Sequence, residues 1–247
     1  DSTAAEVTNA DTTTAFNSDG FSIGADVIVN TNTEDYASWA FRKAEKFFDV
    51  VTYTGDGVAG RAVPHNLNGE VGFAVVKRLD SGTNWEAQHI SIDLTANKGL
   101  YLNNSDALDT HNNVWNSTHA TSTDLILGPH ADVNDVGGSF VAYLWASDAG
   151  GFGDDGEDSI ITCGSYTGNG SADGPEIDCG FEPQWLLIKN TTDGGNWVLM
   201  DDMRGMPVGD EATVLLPNAS GAESSYANLW GVDLQATGFK VNVSQIQ

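Results

Sequence analysis

Positively charged residues are scarce in this chain, and their scarcity excludes two classes of partner. Lys and Arg together number 10, against 35 Asp and Glu, and the formal net charge is −25. Binding to nucleic acid or to an anionic lipid surface needs clustered basic side chains. We therefore expect no nucleic-acid partner. A surface this acidic repels its own copies and suits a salty medium, where ions screen the charge.

Long apolar runs are also absent, and cysteines are few. No stretch approaches the ~20 apolar residues of a membrane span, so we expect no membrane insertion. The chain has 2 cysteines, Cys163 and Cys179, too few for a disulfide framework. They flank the turn-rich segment 166–170, so a disulfide between neighbouring strands and a pair of free buried thiols both remain open.

Motifs that carry catalysis are absent from the sequence. There is no nucleophile elbow, zinc-protease helix, P-loop or paired-carboxylate signature. The 5 histidines include no His-x-His pair and no pair at helical spacing, which argues against a zinc site. We therefore expect no enzymatic activity and assign no catalytic residues.

Apolar and turn-forming residues, by contrast, are plentiful. Hydrophobic residues make up 40% of the chain, including 7 Trp and 10 Phe, which is enough to build cores and argues against disorder. Gly is abundant at 28, and no window shows sustained helical periodicity. Short strands joined by many turns are typical of this mixture, so an all-β fold is predicted.

The sequence repeats itself at two spacings. Residues 18–24 resemble residues 122–128, and residues 36–41 resemble residues 140–145, each pair being 104 positions apart. Within the second pair, one aliphatic residue and two aromatic residues share a face of the predicted strand in both copies. A repeat of this length can bury its own core.

The other half of the repeat recurs at a slightly larger spacing. Residues 73–77 match residues 185–189, and Asn84-Trp85 recurs as Asn196-Trp197, both 112 positions later. The recurring Trp positions favour core, because core positions are what repeats share.

These offsets define the predicted domain organisation. We predict tandem β-sandwich-like repeat units of about 100–110 residues with modest contacts between units. Residues 1–45 form the C-terminal part of a first unit, and residues 46–147 form a complete unit. Residues 148–158 form a Gly/Asp-rich linker, and residues 159–247 form a further unit that is incomplete at its C-terminal end.

Acidic residues are densest in the predicted linker. Carboxylates close together among glycines suit calcium, so this segment is a candidate calcium site, with a solvated flexible linker as the alternative. The candidate calcium ligands are Asp148, Asp154, Asp155, Glu157 and Asp158.

Aromatic side chains with polar neighbours are candidates for glycan contact, since an exposed indole can stack on a sugar ring. The candidate glycan-binding residues are Trp115, Tyr101 and Trp230, and burial in a core is the alternative for each.

Several segments carry a resemblance to a known family. The resemblance lies in residues 47–57, 63–67, 150–156, 160–170 and 182–189. In these segments the chain resembles tail-fibre and related structural proteins of marine and cyanobacterial phages. Residues 178–180 depart from the first copy at 64–66, which argues against His65 as a shared ligand.

The resemblance implies a function and a location. It implies an extracellular virion protein, a homotrimeric tail-fibre segment that contacts other virion proteins and reaches a host surface glycan or receptor. A virion-borne polysaccharide depolymerase is an alternative, although such enzymes are commonly β-helices with a much shorter repeat. A capsid decoration protein and a cell-surface adhesin, each built from the same kind of unit, also stay open.

Overall fold

The computed structural model describes residues 3–111, 113–206, 213–225 and 231–242. Of these residues, 34% lie in strands and 6% in helices. The predicted all-β class is therefore confirmed. Within the described ranges, no helix has the length and apolar character needed to cross a membrane.

Seventeen strands occur within the described ranges. In chain order they are β1 Thr13–Phe16, β2 Phe21–Ile23, β3 Phe48–Thr54, β4 Arg61–Pro64, β5 Val71–Arg78, β6 Trp85–His89, β7 Lys98–Tyr101, β8 Asp109–Thr110, β9 Asp124–Leu127, β10 Ser139–Ala146, β11 Glu176–Asp178, β12 Trp185–Lys189, β13 Trp197–Asp201, β14 Thr213–Val214, β15 Ser224–Ser225, β16 Val232–Gln235 and β17 Gly238–Val241. Two short α-helices, α1 Val27–Asn30 and α2 Ala131–Asn134, and two 3₁₀ turns, Leu94–Ala96 and Asp202–Arg204, complete the elements.

A six-stranded antiparallel sheet organises the middle of the chain, in the order β3-β10-β5-β6-β7-β8. Its strand β10, which lies between β3 and β5, alternates, so that Phe140, Ala142 and Leu144 are fully buried on one face. Tyr143 and Trp145 lie on the opposite face and stack on each other. The pair β4-β9 contributes further buried side chains to the same core, which gives this part of the chain a sandwich-like arrangement.

The hairpin of β5 and β6 recurs as the hairpin of β12 and β13. Lys77 pairs with Trp85 in the first hairpin, and Lys189 pairs with Trp197 in the second, so both registers match at the 112-residue offset. Each lysine also donates from Nζ to a backbone carbonyl in its own turn, at 3.0 Å to Thr83 in the first and 2.7 Å to Gly195 in the second. The two hairpins therefore share their strand register and their lysine hydrogen bonds as well as their sequence pattern.

An asparagine pair closes each hairpin, and this explains why the Asn-Trp motif recurs. Asn103 accepts from the backbone N–H of Trp85 at 2.7 Å and donates to Asn84 at 2.9 Å. Asn218 makes the same two contacts, accepting from the N–H of Trp197 at 2.8 Å and donating to Asn196 at 2.8 Å. We call each arrangement an asparagine clasp.

The segments that are 104 positions apart also share a local structure. Both α1 and α2 are single turns that follow a strand and a glycine. The side-chain amide of Asn30 donates to the carbonyl of Gly24 at 2.7 Å, and that of Asn134 donates to the carbonyl of Gly128 at 3.2 Å. The equivalence covers the strand, the glycine and the helix.

The β12-β13 hairpin contacts the strands that precede it in the chain. We call the predicted unit of residues 46–147 the middle unit. Trp197 belongs to its core cluster, and the indole N–H of Trp197 donates to the carbonyl of Tyr101 at 2.9 Å. The N–H of Gly195 donates to the carbonyl of Ser105 at 2.7 Å. An aromatic side chain of the β12-β13 hairpin therefore packs in the core of the middle unit. The domain boundaries and the extent of contact between units stay predictions.

Candidate functional site

A buried carboxylate lies at the centre of the polar cluster inside the middle unit. Glu86 is on β6, opposite Val76 of β5, and this register turns its side chain to the core face of the sheet. The residue is 0% exposed, and neither carboxylate oxygen has a well-aligned hydrogen bond. An ionised carboxylate in such a place needs a positive partner, since burial without one is costly.

His111 is the nearest partner of Glu86. Its Nδ1 lies 2.8 Å from Oε2 of Glu86, and both side chains are almost fully buried. The imidazole stacks on the ring of Tyr101 at 4.2 Å between centroids. Gly99 of β7 makes this placement possible, because a Cβ at that position would collide with the imidazole. The position of His111 therefore requires a residue without a side chain at position 99.

Burial changes the proton affinity of this cluster. It raises the pKa of Glu86 above its usual range, and the neighbouring His111 offsets only part of that rise. Burial also raises the pKa of Tyr101 to about 12, with a further contribution from the Glu86 charge.

Helix α2 brings two more ligand-type side chains to Glu86. His130 is the N-cap residue, and its Nδ1 accepts from the N–H of Asp132 at 3.3 Å. One ligand atom from each of Glu86, His130 and Asp132 lies within 4.8 Å of the other two. Across the part of the chain that the structure describes, this is the one group of three such side chains. We call these three residues the Glu86 cluster.

The structure places the three predicted glycan-binding residues in different environments. Trp115 is 2% exposed and packs in the core of the middle unit, so its prediction as a sugar-stacking residue is wrong. Its neighbour Val114 is buried in the same core. Tyr101 is half-buried with its ring against His111. Trp230 lies outside the described residues.

The predicted calcium ligands do not converge. Asp148 accepts from the hydroxyls of Ser147 and Thr162, at 3.0 and 2.7 Å. The other four carboxylates, of Asp154, Asp155, Glu157 and Asp158, are exposed on a tight loop. That loop is closed by backbone hydrogen bonds between Phe152 and Asp158. Within the described ranges these side chains form no group of three with ligand atoms inside 4.8 Å, so the structure does not support them as one calcium site.

Both cysteines are free thiols. Cys179 is buried and Cys163 is half-buried. Burial, followed by the nearby Asp148 charge, raises the pKa of Cys163 to about 12. A thiol with so high a pKa is a poor nucleophile at neutral pH.

An exposed group of aromatic rings lies where the N-terminal segment meets the β12-β13 hairpin. Trp39, Phe41 and Trp185 are 38%, 40% and 37% exposed. The rings of Phe41 and Trp185 are 6.3 Å apart, and the Arg204 guanidinium lies 5.5 Å from the ring of Trp39. The indole N–H of Trp39 donates to Asp201 at 3.1 Å. We call Trp39, Phe41 and Trp185 the aromatic patch.

One family model, described as a domain of unknown function (DUF7483), matches residues 1–247. The chain belongs to the DUF7483 family. No curated protein and no solved structure matches it. The DUF7483 match spans both repeats, so the duplication lies inside a single family domain.

Sequence reasoning missed both the Glu86 cluster and the aromatic patch of this DUF7483 chain. The members of the cluster lie 44 or more positions from Glu86, so no local motif marks them. A signal does exist in the repeat itself. The equivalent of Glu86 in the second hairpin is Val198, and the equivalents of His130 and Asp132 in α1 are Asp26 and Ile28.

Proposed function

We propose that this chain is a structural segment of a phage tail fibre, located on the virion outside the cell. It provides reach and adheres to a host surface glycan or receptor. The resemblance of residues 47–57 and 160–170 to tail-fibre proteins supports the class. Duplicated hairpins with the same internal contacts support a spacer that grew by repetition. The chain acts as a homo-oligomer, a trimer by the same resemblance, next to other virion proteins.

The aromatic patch is the observation that carries the adhesive part of the proposal. Three large rings keep more than a third of their surface in solvent. Large exposed apolar faces next to polar side chains mark contact sites more often than single exposed residues do. Asp201 and Arg204 supply a carboxylate and a guanidinium beside the rings. Flat apolar faces with polar groups at their rim suit the C–H faces and hydroxyls of a sugar.

A host-binding experiment tests this proposal. Purified host surface polysaccharide is titrated into the wild-type chain and into a Trp39→Ala/Trp185→Ala double variant. We expect binding to weaken at least tenfold in the double variant, because two stacking faces are lost. Phe16→Ala is the matched control, since Phe16 is 89% exposed and lies outside the patch.

The same incubation tests the non-enzymatic role. The polysaccharide should keep its chain length throughout. Reproducible shortening of the polymer by the wild-type chain would replace the proposal with a depolymerase, and equal binding by the double variant would remove the patch from it. Presentation on an oligomeric fibre should raise the avidity of a weak site by about 10²–10⁴.

A further inference from the structure

We propose that the Glu86 cluster binds a divalent first-row transition-metal ion. Glu86, His130 and Asp132 are the ligands, and His111 holds the Glu86 carboxylate. This site is separate from the aromatic patch and does not depend on the proposed adhesive function.

The first observation is convergence. The three ligand atoms come from β6, from the N-cap residue of α2 and from its second residue, and they lie within 4.8 Å of one another. A tetrahedral zinc ion with bonds of about 2.1 Å holds its ligand atoms about 3.4 Å apart. His130 and Asp132 are half-buried, so their side chains can close the remaining distance by rotamer changes.

The second observation is the unpaired state of the buried carboxylate. Glu86 is 0% exposed, and its Oε1 has no hydrogen-bond partner among the described residues. Buried polar atoms in folded proteins are normally paired. A buried carboxylate without a hydrogen bond, with one oxygen within 4.8 Å of ligand atoms of a histidine and a second carboxylate, therefore points to a cation. Oε2 faces His111 at 2.8 Å. An imidazole in that position orients the carboxylate, as partners behind metal ligands do.

The third observation is the internal repeat, which shows what the fold requires without the site. Val198 takes the Glu86 position in the second hairpin, where it is 0% exposed and packs in a core. In α1, Ile28 takes the Asp132 position, and Asp26 caps the turn in place of His130. An apolar or ordinary capping residue therefore serves the fold at each position. The fold therefore does not explain why three ligand-type side chains lie together in one unit, whereas metal binding does.

The ligand chemistry selects the class of ion. One imidazole nitrogen and two carboxylate oxygens suit zinc, manganese or iron(II), whereas calcium takes oxygen ligands only. The carboxylates of the cluster also supply the negative charge that offsets the ion in the interior.

Metal titration of the intact chain tests the site. After stripping with EDTA and dialysis, the wild-type chain is titrated with Zn²⁺ and with Co²⁺, and binding is followed by calorimetry and by the visible spectrum of cobalt. We expect one ion per chain, a rise in the thermal midpoint, and cobalt bands that indicate mixed nitrogen and oxygen ligands. Calcium at the same concentration should leave this site unbound.

Two variants test ligands, and a third tests the histidine behind Glu86. Glu86→Gln keeps the volume of the side chain, and His130→Asn keeps a capping group for α2. Both should weaken zinc binding by more than about 100-fold, and His111→Asn should weaken it by about 10–100-fold, as loss of a partner behind a ligand does. His119→Asn and Asp154→Asn/Asp155→Asn are controls for other histidines and for the acidic loop, and they should bind zinc as the wild type does. Failure of the wild type to bind zinc, or equal binding by folded Glu86→Gln and His130→Asn variants, would overturn the proposal.

Discussion

Asp49 is a carboxylate inside the structure that several donors hold in place. It is 2% exposed and accepts from the backbone N–H groups of Val50 and Asn66, each at 2.8 Å. The Lys43 ammonium lies 2.6 Å away. Burial by itself raises the pKa of Asp49, but these donors together outweigh it, and the pKa lies below its usual value.

The lowered pKa of Asp49 predicts a contribution to stability that depends on pH. A depressed carboxylate pKa stabilises the folded chain above the unfolded pKa of about 4, and that contribution is lost as the pH falls through the lower folded value. We therefore expect Asp49→Asn to lower the free energy of unfolding at pH 7 by about 1–3 kcal/mol. The difference between the variant and the wild type should shrink as the pH falls below about 4.

Urea unfolding between pH 3 and pH 7 measures this difference. Asp154→Asn is the control, because Asp154 is exposed, and it should change stability by less than about 0.5 kcal/mol at any pH. A constant difference between Asp49→Asn and the wild type across the pH range would contradict the assignment.

At the scale of elements, the two hairpins provide a matched pair. Each asparagine clasp ties the first residue of one strand to a loop that follows later in the chain. In each clasp the asparagine oxygen accepts from the backbone N–H of the tryptophan, and a part-buried N–H that loses its acceptor is costly.

We expect Asn103→Ala and Asn218→Ala each to loosen its own hairpin by about 1–3 kcal/mol. Hydrogen exchange followed at single amides is the measurement. The amide of Trp85 should lose protection in Asn103→Ala, and the amide of Trp197 should lose it in Asn218→Ala. Each variant is the control for the other, and equal loss at both amides in either variant would contradict two local clasps.

The hairpins also show how far the sequence predicts elements. The apolar runs 73–77 and 185–189 and the recurring Asn-Trp pairs predict that one structural segment occurs twice, and the structure has a hairpin in the same register at both places. Local pattern suffices there because the turn fixes the register of its two strands. The same reasoning cannot place Trp115, since its burial depends on packing against side chains distant in sequence.

At the scale of the whole molecule, the described residues form two hydrophobic cores, and Trp197 of the later hairpin is buried in the larger one. The larger cluster lies in the middle unit, and the smaller one is built from residues 179–241. Trp197 lies on β13 but packs with the larger cluster, with its ring 6.0 Å from that of Phe73. Because Trp197 is only 4% exposed, the hairpin cannot leave the middle unit without opening that core.

We expect the wild-type chain to unfold in one calorimetric transition. Trp197→Ala should lower stability by about 3–5 kcal/mol, as loss of a buried Trp does, and should separate the transition into two. Met203→Ala is the control, since Met203 is 89% exposed. Two transitions in the wild-type chain would contradict a shared core and restore the picture of independent units.

The sequence by itself determined the all-β class, the duplicated hairpins and the acidic surface. Each of these depends on composition or on patterns a few residues long, and backbone sterics and alternation act at that range. The tertiary structure alone decided that Glu86, His130 and Asp132 meet, and that Trp39 and Trp185 stay exposed while Trp115 is buried. Those outcomes depend on which strands pair and on which face of the sheet each side chain takes. Both follow from contacts between residues tens of positions apart, for which a single sequence carries no local signal.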